Sequence, residues 1–152
     1  MKEGMKAVDF ELKDKDGKNI RLINIKSDYT IIYFYPKDNT PGCSIEANEF
    51  SNFVEKFREL NTVIIGISGG DEKSKRNFCE KYNLRIILLS DPDFSICKKY
   101  NSYGEKIFMG RKFNGIFRNT YVLDKNKNVI KIYENVKAKD HAQEVLKFIR
   151  DL

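Results

Sequence analysis

The chain has 152 residues, 41% of them hydrophobic and 33% charged, and its formal net charge is +6. This composition predicts one globular domain spanning residues 1–152 and excludes fibrous and disordered classes. No apolar run approaches the roughly 20 residues that a membrane span requires, so we expect no membrane partner. The lysines are scattered instead of forming a basic stripe, so we expect no nucleic-acid partner either.

The first part of the chain predicts a hairpin, a buried strand and a helix. Residues 9–22 alternate around Asp16 and Gly17, a dipeptide typical of a tight turn between two strands. The apolar run 30–35 predicts a buried strand. A helix is then predicted as far as about residue 60, because the apolar residues recur at helical spacing. This stripe contains Ala47, Phe50, Phe53, Val54, Phe57 and Leu60.

The rest of the chain continues the alternation of strands and helices. Residues 62–68 predict a second buried strand, followed by a helix to about residue 82. Residues 86–89 predict a third strand, and residues 90–93 open a short helix. A second hairpin is predicted over 120–133. The last helix has a stripe of Ala142, Val145, Leu146, Ile149 and Leu152. This order predicts an α/β fold with a sheet covered on both faces.

The residue that points to chemistry is Cys43. It follows Thr40, Pro41 and Gly42, where the first predicted buried strand leads into a helix, and it therefore falls in the first helical turn. Unpaired N–H groups and the positive end of the helix dipole stabilise an anion there, and the thiolate is the nucleophilic form of cysteine. Most free cysteines are small packing residues, but that interpretation suits a mid-strand position better. We therefore predict a reactive sulfur.

Pro36, Thr40 and Cys43 are spaced as Pro-x-x-x-Thr-x-x-Cys, which resembles the active-site motif of the peroxiredoxins. The longer string 35–47 resembles their bacterioferritin-comigratory-protein, or peroxiredoxin Q, subfamily. Further similar strings follow in order at 89–93, 103–106, 115–120, 136–137 and 141–142. The resemblance implies a thioredoxin-like fold with an N-terminal β-hairpin and a central mixed sheet flanked by helices. It also implies a monomer that reduces peroxides and is itself reduced by thioredoxin or a similar dithiol protein.

The resemblance also implies roles for individual residues around Cys43. Arg118 is expected to stabilise the thiolate and bind the peroxide oxygens, since a guanidinium is always charged. Thr40 is expected to place its hydroxyl beside the sulfur, and Pro36 to close the pocket. Glu46 is interpreted as the residue that orients Arg118, although a first-turn acid favoured by the helix dipole is a close alternative.

Turnover requires a second thiol, because a sulfenic acid formed on Cys43 condenses with a thiol to give a disulfide. Many members of the subfamily carry this cysteine five residues after the first, where this chain has Asn48. Cys79 and Cys97 remain as candidates. Cys97 lies among apolar residues at helical spacing, which predicts core packing, whereas Cys79 lies among cationic and polar residues. We therefore favour Cys79, with unwinding of the first turn of the Cys43 helix to bring the sulfurs together.

Other interpretations stay open at this point. A one-cysteine peroxidase recharged by a small thiol is the nearest alternative, and a redox-sensing interaction module is a more distant one. The single histidine, His141, starts the last helix and is predicted to be structural, which argues against a Cys–His hydrolase. Three cysteines without close pairs predict no metal site or other cofactor. They favour the reducing cytoplasm, and no secretory signal is evident. The preferred peroxide is not predicted.

Overall fold

A mixed sheet forms the centre of the structure, a computed structural model that describes residues 1–152. The strands are β1 (Glu11–Lys13), β2 (Asn19–Arg21), β3 (Tyr29–Phe34), β4 (Thr62–Ser68), β5 (Ile87–Ser90), β6 (Tyr103–Phe108), β7 (Arg111–Ile116), β8 (Thr120–Leu123) and β9 (Val129–Tyr133). Seven of them make one sheet in the order β2-β1-β5-β4-β3-β8-β9, and β6 and β7 pair only with each other.

Five helices flank this sheet. They are α1 (Pro41–Asn52), α2 (Val54–Glu59), α3 (Glu72–Tyr82), α4 (Ser95–Lys99) and α5 (His141–Arg150). Strand β3 is parallel to β4 and antiparallel to β8, while β1 and β2 form the N-terminal hairpin. The predicted fold class, a central mixed sheet flanked by helices with an added N-terminal hairpin, is confirmed. No helix is long and apolar enough to cross a membrane.

The sheet separates two hydrophobic cores, because successive side chains of a strand point to opposite faces. On β3, Ile31 and Tyr33 enter the core that also contains buried residues of α1, α3 and α5. Ile32 and Phe34 enter the second core, which contains Ile96 of α4. Strand β3 is apolar without alternation because both of its faces are covered.

Two boundaries differ from the prediction. The helix expected to reach residue 60 bends at Phe53, whose φ of −95° and ψ of 5° separate α1 from α2. The bend turns α2 onto β4, while α1 packs against α5. Leu152 was predicted to extend the stripe of the last helix. Helix α5 ends at Arg150, and Leu152 lies beyond it with 62% of its surface exposed.

The hairpin β6–β7 was not predicted. Its strands pair in register from Tyr103 with Ile116 to Phe108 with Arg111. The turn residues Met109 and Gly110 both have positive φ, 51° and 79°, as the tight turns of two-residue hairpins require. Most of its residues are exposed, so the strands lack the alternation of buried and exposed positions that predicts a sheet strand.

Candidate active site

Cys43 is the third residue of α1 and is almost completely buried, with 1% of its surface exposed. The chain leaves the sheet at the end of β3, bends through residues 35–40 and enters α1 at Pro41. A proline suits the first position of a helix because its fixed φ is helical and its missing N–H would have no partner there. The sequence around Cys43 therefore presents its sulfur at the start of the helix, beside the carboxyl end of β3.

Strand pairing brings Arg118 to this sulfur. Arg118 lies just before β8, and β8 runs antiparallel to β3 with Thr120 opposite Tyr33. Its Nη2 donates a hydrogen bond to Cys43 Sγ over 3.4 Å. Gly42 allows this approach, because a Cβ at that position would lie only 3.2 Å from Nη2. A cation distant in sequence is thus in direct contact with the cysteine.

Glu46 holds the other side of the same guanidinium. Arg118 Nη1 donates to Glu46 Oε1 over 2.9 Å, and the glutamate side chain is fully buried. Burial raises the pKa of Glu46 to about 7, and the charge of Arg118 opposes that rise. Burial disfavours the charge of Arg118, but Glu46 and Cys43 outweigh it and leave the pKa of Arg118 above its ordinary value. The guanidinium therefore stays charged and is held by two side chains of α1.

Thr40 and Pro36 lie in the loop between β3 and α1. The Thr40 hydroxyl donates to the Lys37 carbonyl over 2.9 Å, and no hydrogen bond joins it to the sulfur. Its hydrogen is therefore committed to the backbone, and the oxygen offers acceptor lone pairs instead. Pro36 is half-buried at the bend that follows β3. The resemblance implies a Thr40 hydroxyl beside the sulfur, whereas in the structure the hydroxyl hydrogen points to the Lys37 carbonyl.

A buried ion pair, which no sequence pattern predicts, supports this loop. The Asp38 carboxylate accepts from Lys75 Nζ over 2.9 Å and from Ser74 Oγ over 2.6 Å, both on α3. The Tyr35 hydroxyl donates to the other carboxylate oxygen over 2.5 Å. Lys75 is fully buried, and burial lowers its pKa while Asp38 raises it. Buried charges persist when they are paired and hydrogen-bonded, so this group fastens the loop before Cys43 to α3.

The other two cysteines lie on opposite sides of the sheet. Cys79, on α3, shares the hydrophobic core of Cys43, whereas Cys97, on α4, lies in the second core. All three cysteines are free. The wet setting predicted for Cys79 is wrong, because only 5% of the residue is exposed. Burial raises the pKa of its thiol, although the nearby cations Lys15 and Lys75 act to lower it. The neighbouring Lys75 faces inward to Asp38 because that carboxylate pairs with it.

His141 takes no part in this cluster. It is the first residue of α5, and its Nε2 lies 2.8 Å from the Thr120 hydroxyl while its Nδ1 lies 3.1 Å from a Glu144 oxygen. Burial lowers the pKa of the ring, so its hydrogen bonds join α5 to β8 through a largely neutral imidazole. This arrangement is structural.

Comparisons with known proteins agree on one family. The AhpC/TSA family model matches residues 4–132. The chain is 40% identical to a putative peroxiredoxin bcp of Helicobacter pylori strain J99 over 143 residues, 94% of each chain. It is 40% identical to peroxiredoxin Bcp of Bacillus subtilis over 149 residues, 98% of this chain and 95% of that one.

Solved structures give the same result. A mutant of Xylella fastidiosa PrxQ superposes with a TM-score of 0.93 at 30% identity, covering 99% of this chain and 96% of the other. The Xanthomonas campestris bacterioferritin comigratory protein, studied for alkyl peroxide reduction, superposes with a TM-score of 0.88 at 31% identity. That match covers 93% of this chain and 90% of the other.

Proposed function

Because this chain belongs to the AhpC/TSA family and its relatives are Bcp and PrxQ peroxiredoxins, which are thiol-dependent peroxidases, we propose that Cys43 is its peroxidatic cysteine. The observation that carries the proposal is the 3.4 Å hydrogen bond from Arg118 Nη2 to Cys43 Sγ. The guanidinium touches the sulfur and can stabilise negative charge that develops there, and the thiolate is the attacking form of a cysteine.

In the proposed reaction the Cys43 thiolate attacks one peroxide oxygen. A sulfur–oxygen bond forms as the O–O bond breaks, and the leaving oxygen takes up a proton from the solvent to become water or an alcohol. Arg118 stabilises the negative charge that moves from sulfur to the oxygens, and Glu46 fixes the guanidinium in place through the 2.9 Å ion pair. The Thr40 oxygen is available to accept a hydrogen bond from the O–H of the incoming hydroperoxide. Cys43 is left as a sulfenic acid.

We further propose that Cys79 resolves this sulfenic acid. Its thiol displaces the hydroxyl of Cys43, so that a disulfide forms and water leaves. Cys79 is preferred to Cys97 because it shares the core of Cys43, whereas the sheet separates Cys97 from that core. The two sulfurs are free in this structure, and we propose that the first turn of α1 unwinds to bring them to bonding distance. Thioredoxin or a similar dithiol protein would then reduce the disulfide in a monomeric, cytoplasmic enzyme.

The burial of Cys79 favours a second candidate, a one-cysteine peroxidase. A buried thiol with a raised pKa is a poor nucleophile in the folded state. If α1 does not unwind, a small external thiol would have to reduce the Cys43 sulfenic acid directly. The two candidates share the first chemical step and differ only in the second.

Disulfide mapping separates the candidates. Fully reduced protein receives one equivalent of hydrogen peroxide and is digested without reduction for peptide mass spectrometry. We expect a Cys43–Cys79 link in the parent chain and in Cys97→Ser, the matched control, and no such link in Cys79→Ser. Cys43 found only as sulfenic or sulfinic acid in the parent would assign the one-cysteine mechanism. An unmodified Cys43 would contradict its peroxidatic role.

A further inference from the structure

Half of the largest exposed hydrophobic side chains lie at the end of one hairpin. We call residues 107–113, the turn of β6–β7 and its flanking strand ends, the hairpin tip. Met109 is 88% exposed, Ile107 and Phe108 are each 68% exposed, and Phe113 is 47% exposed. The other exposed hydrophobics are scattered singly, at Met5, Ile23, Ile45 and Leu152. Single exposed hydrophobics are normal on a protein surface, whereas a contiguous group marks an interaction site.

The apolar side chains surround the tip instead of lining one face. Phe108 pairs with Arg111, and Ile107 pairs with Lys112 in the antiparallel register. Paired residues share a face and successive residues alternate, so Phe108 and Ile107 lie on opposite faces, with Met109 in the turn between them. A flat protein partner covers one face of such a hairpin. A medium that surrounds the tip covers all of these side chains.

Basic residues accompany the apolar ones. Arg111 and Lys112 are exposed directly after the turn, and Lys106 lies one residue before Ile107. The hairpin strands contain one acid, Glu105, whose carboxylate is 4.0 Å from Lys112 Nζ, with both side chains exposed. Arg111 and Lys112 lie at the same levels of the hairpin as Phe108 and Ile107. Long cationic side chains can reach lipid phosphates from there while the apolar side chains enter the acyl region of an anionic membrane.

We propose that the hairpin tip docks this protein onto anionic lipid bilayers. Ile107, Phe108 and Met109 enter the boundary between headgroups and acyl chains, while Arg111 and Lys112 contact lipid phosphates. The binding is peripheral and reversible, because a few side chains bury little apolar area and the cations must supplement it. The sequence predicts no membrane partner, since no apolar run approaches the roughly 20 residues of a membrane span. The apolar run 107–109 is only three residues long, and the exposure of its side chains in the structure identifies it.

The hairpin joins the membrane contact to the chemistry. Strand β7 ends at Ile116, and Arg118 follows after a single intervening residue. The hairpin base is fixed nearby, where Lys106 Nζ donates to the Ile116 carbonyl over 2.9 Å. Docking therefore tethers the candidate active site to the bilayer through the hairpin, whose six-residue strands span roughly 20 Å. This last consequence rests on the proposed peroxidase function, whereas the docking itself does not.

The test is vesicle sedimentation of the full, reduced chain. Vesicles of phosphatidylcholine alone are compared with vesicles of equal parts phosphatidylcholine and phosphatidylglycerol, at low and high salt. We expect binding to the anionic vesicles only, and release by salt, since screening weakens the phosphate contacts. Two double variants test the two kinds of contact. We expect each to bind anionic vesicles at least about tenfold more weakly than the parent chain. They are Phe108→Ser/Met109→Ser and Arg111→Gln/Lys112→Gln.

A matched control uses hydrophobic residues exposed elsewhere. Met5→Ser/Ile23→Ser removes two side chains that are each 50% exposed and should bind vesicles like the parent. Hydrogen peroxide turnover without vesicles should be unchanged in all of these variants, so failure of docking and failure of the peroxidase proposal are distinguishable. The chain has no tryptophan, so Met109→Trp adds a single fluorophore whose emission should shift to the blue with anionic vesicles.

Several outcomes would overturn the proposal. These are no sedimentation with anionic vesicles, equal loss of binding in the Met5/Ile23 control, or no emission shift of the tryptophan. A parent chain that is dimeric by light scattering and becomes monomeric in the Phe108/Met109 variant would assign the tip to a contact between two copies. If the chain does not bind vesicles but its hairpin tip binds an acidic protein, the tip would be assigned to a protein partner instead.

Discussion

Cys43 and Cys97 occupy equivalent local positions and have opposite electrostatic surroundings. Each is the third residue of a helix, α1 or α4, that follows the carboxyl end of a sheet strand, and each is at most 1% exposed. Cys43 accepts a hydrogen bond from the Arg118 guanidinium, whereas Cys97 lies beside a carboxylate, and its N–H donates to Asp91 Oδ2 over 2.8 Å. Burial and then Asp91 raise the pKa of Cys97 far above its ordinary value.

The comparison shows that a helix start does not by itself make a cysteine reactive. Backbone N–H groups at the first turn are present at both sites. The charge that tertiary packing brings to the sulfur differs between them, and charges in a buried site act strongly because water does not screen them. Variants that remove the sulfurs or the neighbouring charges therefore test this difference.

Removing each sulfur in turn tests the comparison most directly. Cys43→Ser should reduce peroxide consumption to the buffer rate, because a serine hydroxyl stays protonated and is a weak nucleophile. Cys97→Ser should keep the turnover of the parent chain. The measurement is hydrogen peroxide consumption with dithiothreitol as reductant, after circular dichroism has shown that both variants fold. Loss of turnover in Cys97→Ser would contradict its assignment as a packing residue.

Removing the cation should make Cys43 resemble Cys97. Arg118→Met deletes the donor to the sulfur, and we expect the second-order rate with hydrogen peroxide to fall by roughly 10²- to 10³-fold, as for loss of one transition-state donor. Arg118→Lys should restore only part of the rate, because an ammonium lacks the planar fork that reaches Cys43 and Glu46 together. Stopped-flow single turnovers measure both rates. Full activity of the lysine variant would show that charge alone suffices.

The Glu46 carboxyl should make stability depend on pH. Its pKa rises from 4.5 to about 7 on folding, so the folded state binds the proton more tightly than the unfolded state. Stability from this group is therefore present at low pH and is lost as pH rises between these two values. Between pH 5 and 8 the loss is on the order of 2 kcal/mol.

Glu46→Gln removes this titration. We therefore expect the free energy of unfolding of the variant to fall less between pH 5 and 8 than that of the parent. Urea unfolding of the parent and the variant at several pH values measures the difference. Parallel pH profiles for the two proteins would contradict the raised pKa. Glu59→Gln is a suitable control, since that side chain is exposed at the end of α2.

Neutralising the acid beside Cys97 should have the smallest effect. Asp91→Asn removes one cause of the raised pKa of Cys97, but burial is the larger cause and persists. We expect peroxide turnover within about twofold of the parent, since surroundings in the second core do not touch the reacting atoms. Cys97 should alkylate about as slowly in the variant as in the parent, as measured by timed iodoacetamide labelling of the native proteins. A much faster labelling of Cys97 in the variant would show that Asp91, not burial, protects this thiol.

Patterns of burial explain where prediction of the fold succeeded. Strand β4 was predicted at 62–68, its observed bounds, because a continuous apolar run is bounded by Asn61 and Gly69. The bend at Phe53 was missed because the apolar residues keep helical spacing on both sides of it. The pattern reports which face is buried, and it does not record that α1 and α2 bury that face against different elements.

In the site, local positions were predictable and long-range contacts mostly were not. The motif placed Cys43 at a helix start, where the structure has it. The Asp38–Lys75 pair joins residues 37 positions apart, and Lys75 among Lys73 and Arg76 looks like an ordinary surface charge in the sequence. Lys75 and Arg76 also led to the prediction of a solvent-exposed Cys79, although Cys79 lies on the face of α3 that packs into the core.

The sequence by itself determined the alternation of strands and helices, the cysteine at the start of a helix, and the motifs that resemble one family. These features depend on residue types and spacings within a few turns of chain. The resemblance implied that Arg118 lies at Cys43, and the tertiary structure gave the geometry of that contact. Only the tertiary structure decided that Asp91 faces Cys97 and that Cys79 is buried on the side of the sheet that contains Cys43. The physical reason is that charge interactions and desolvation depend on distances through space, which packing sets.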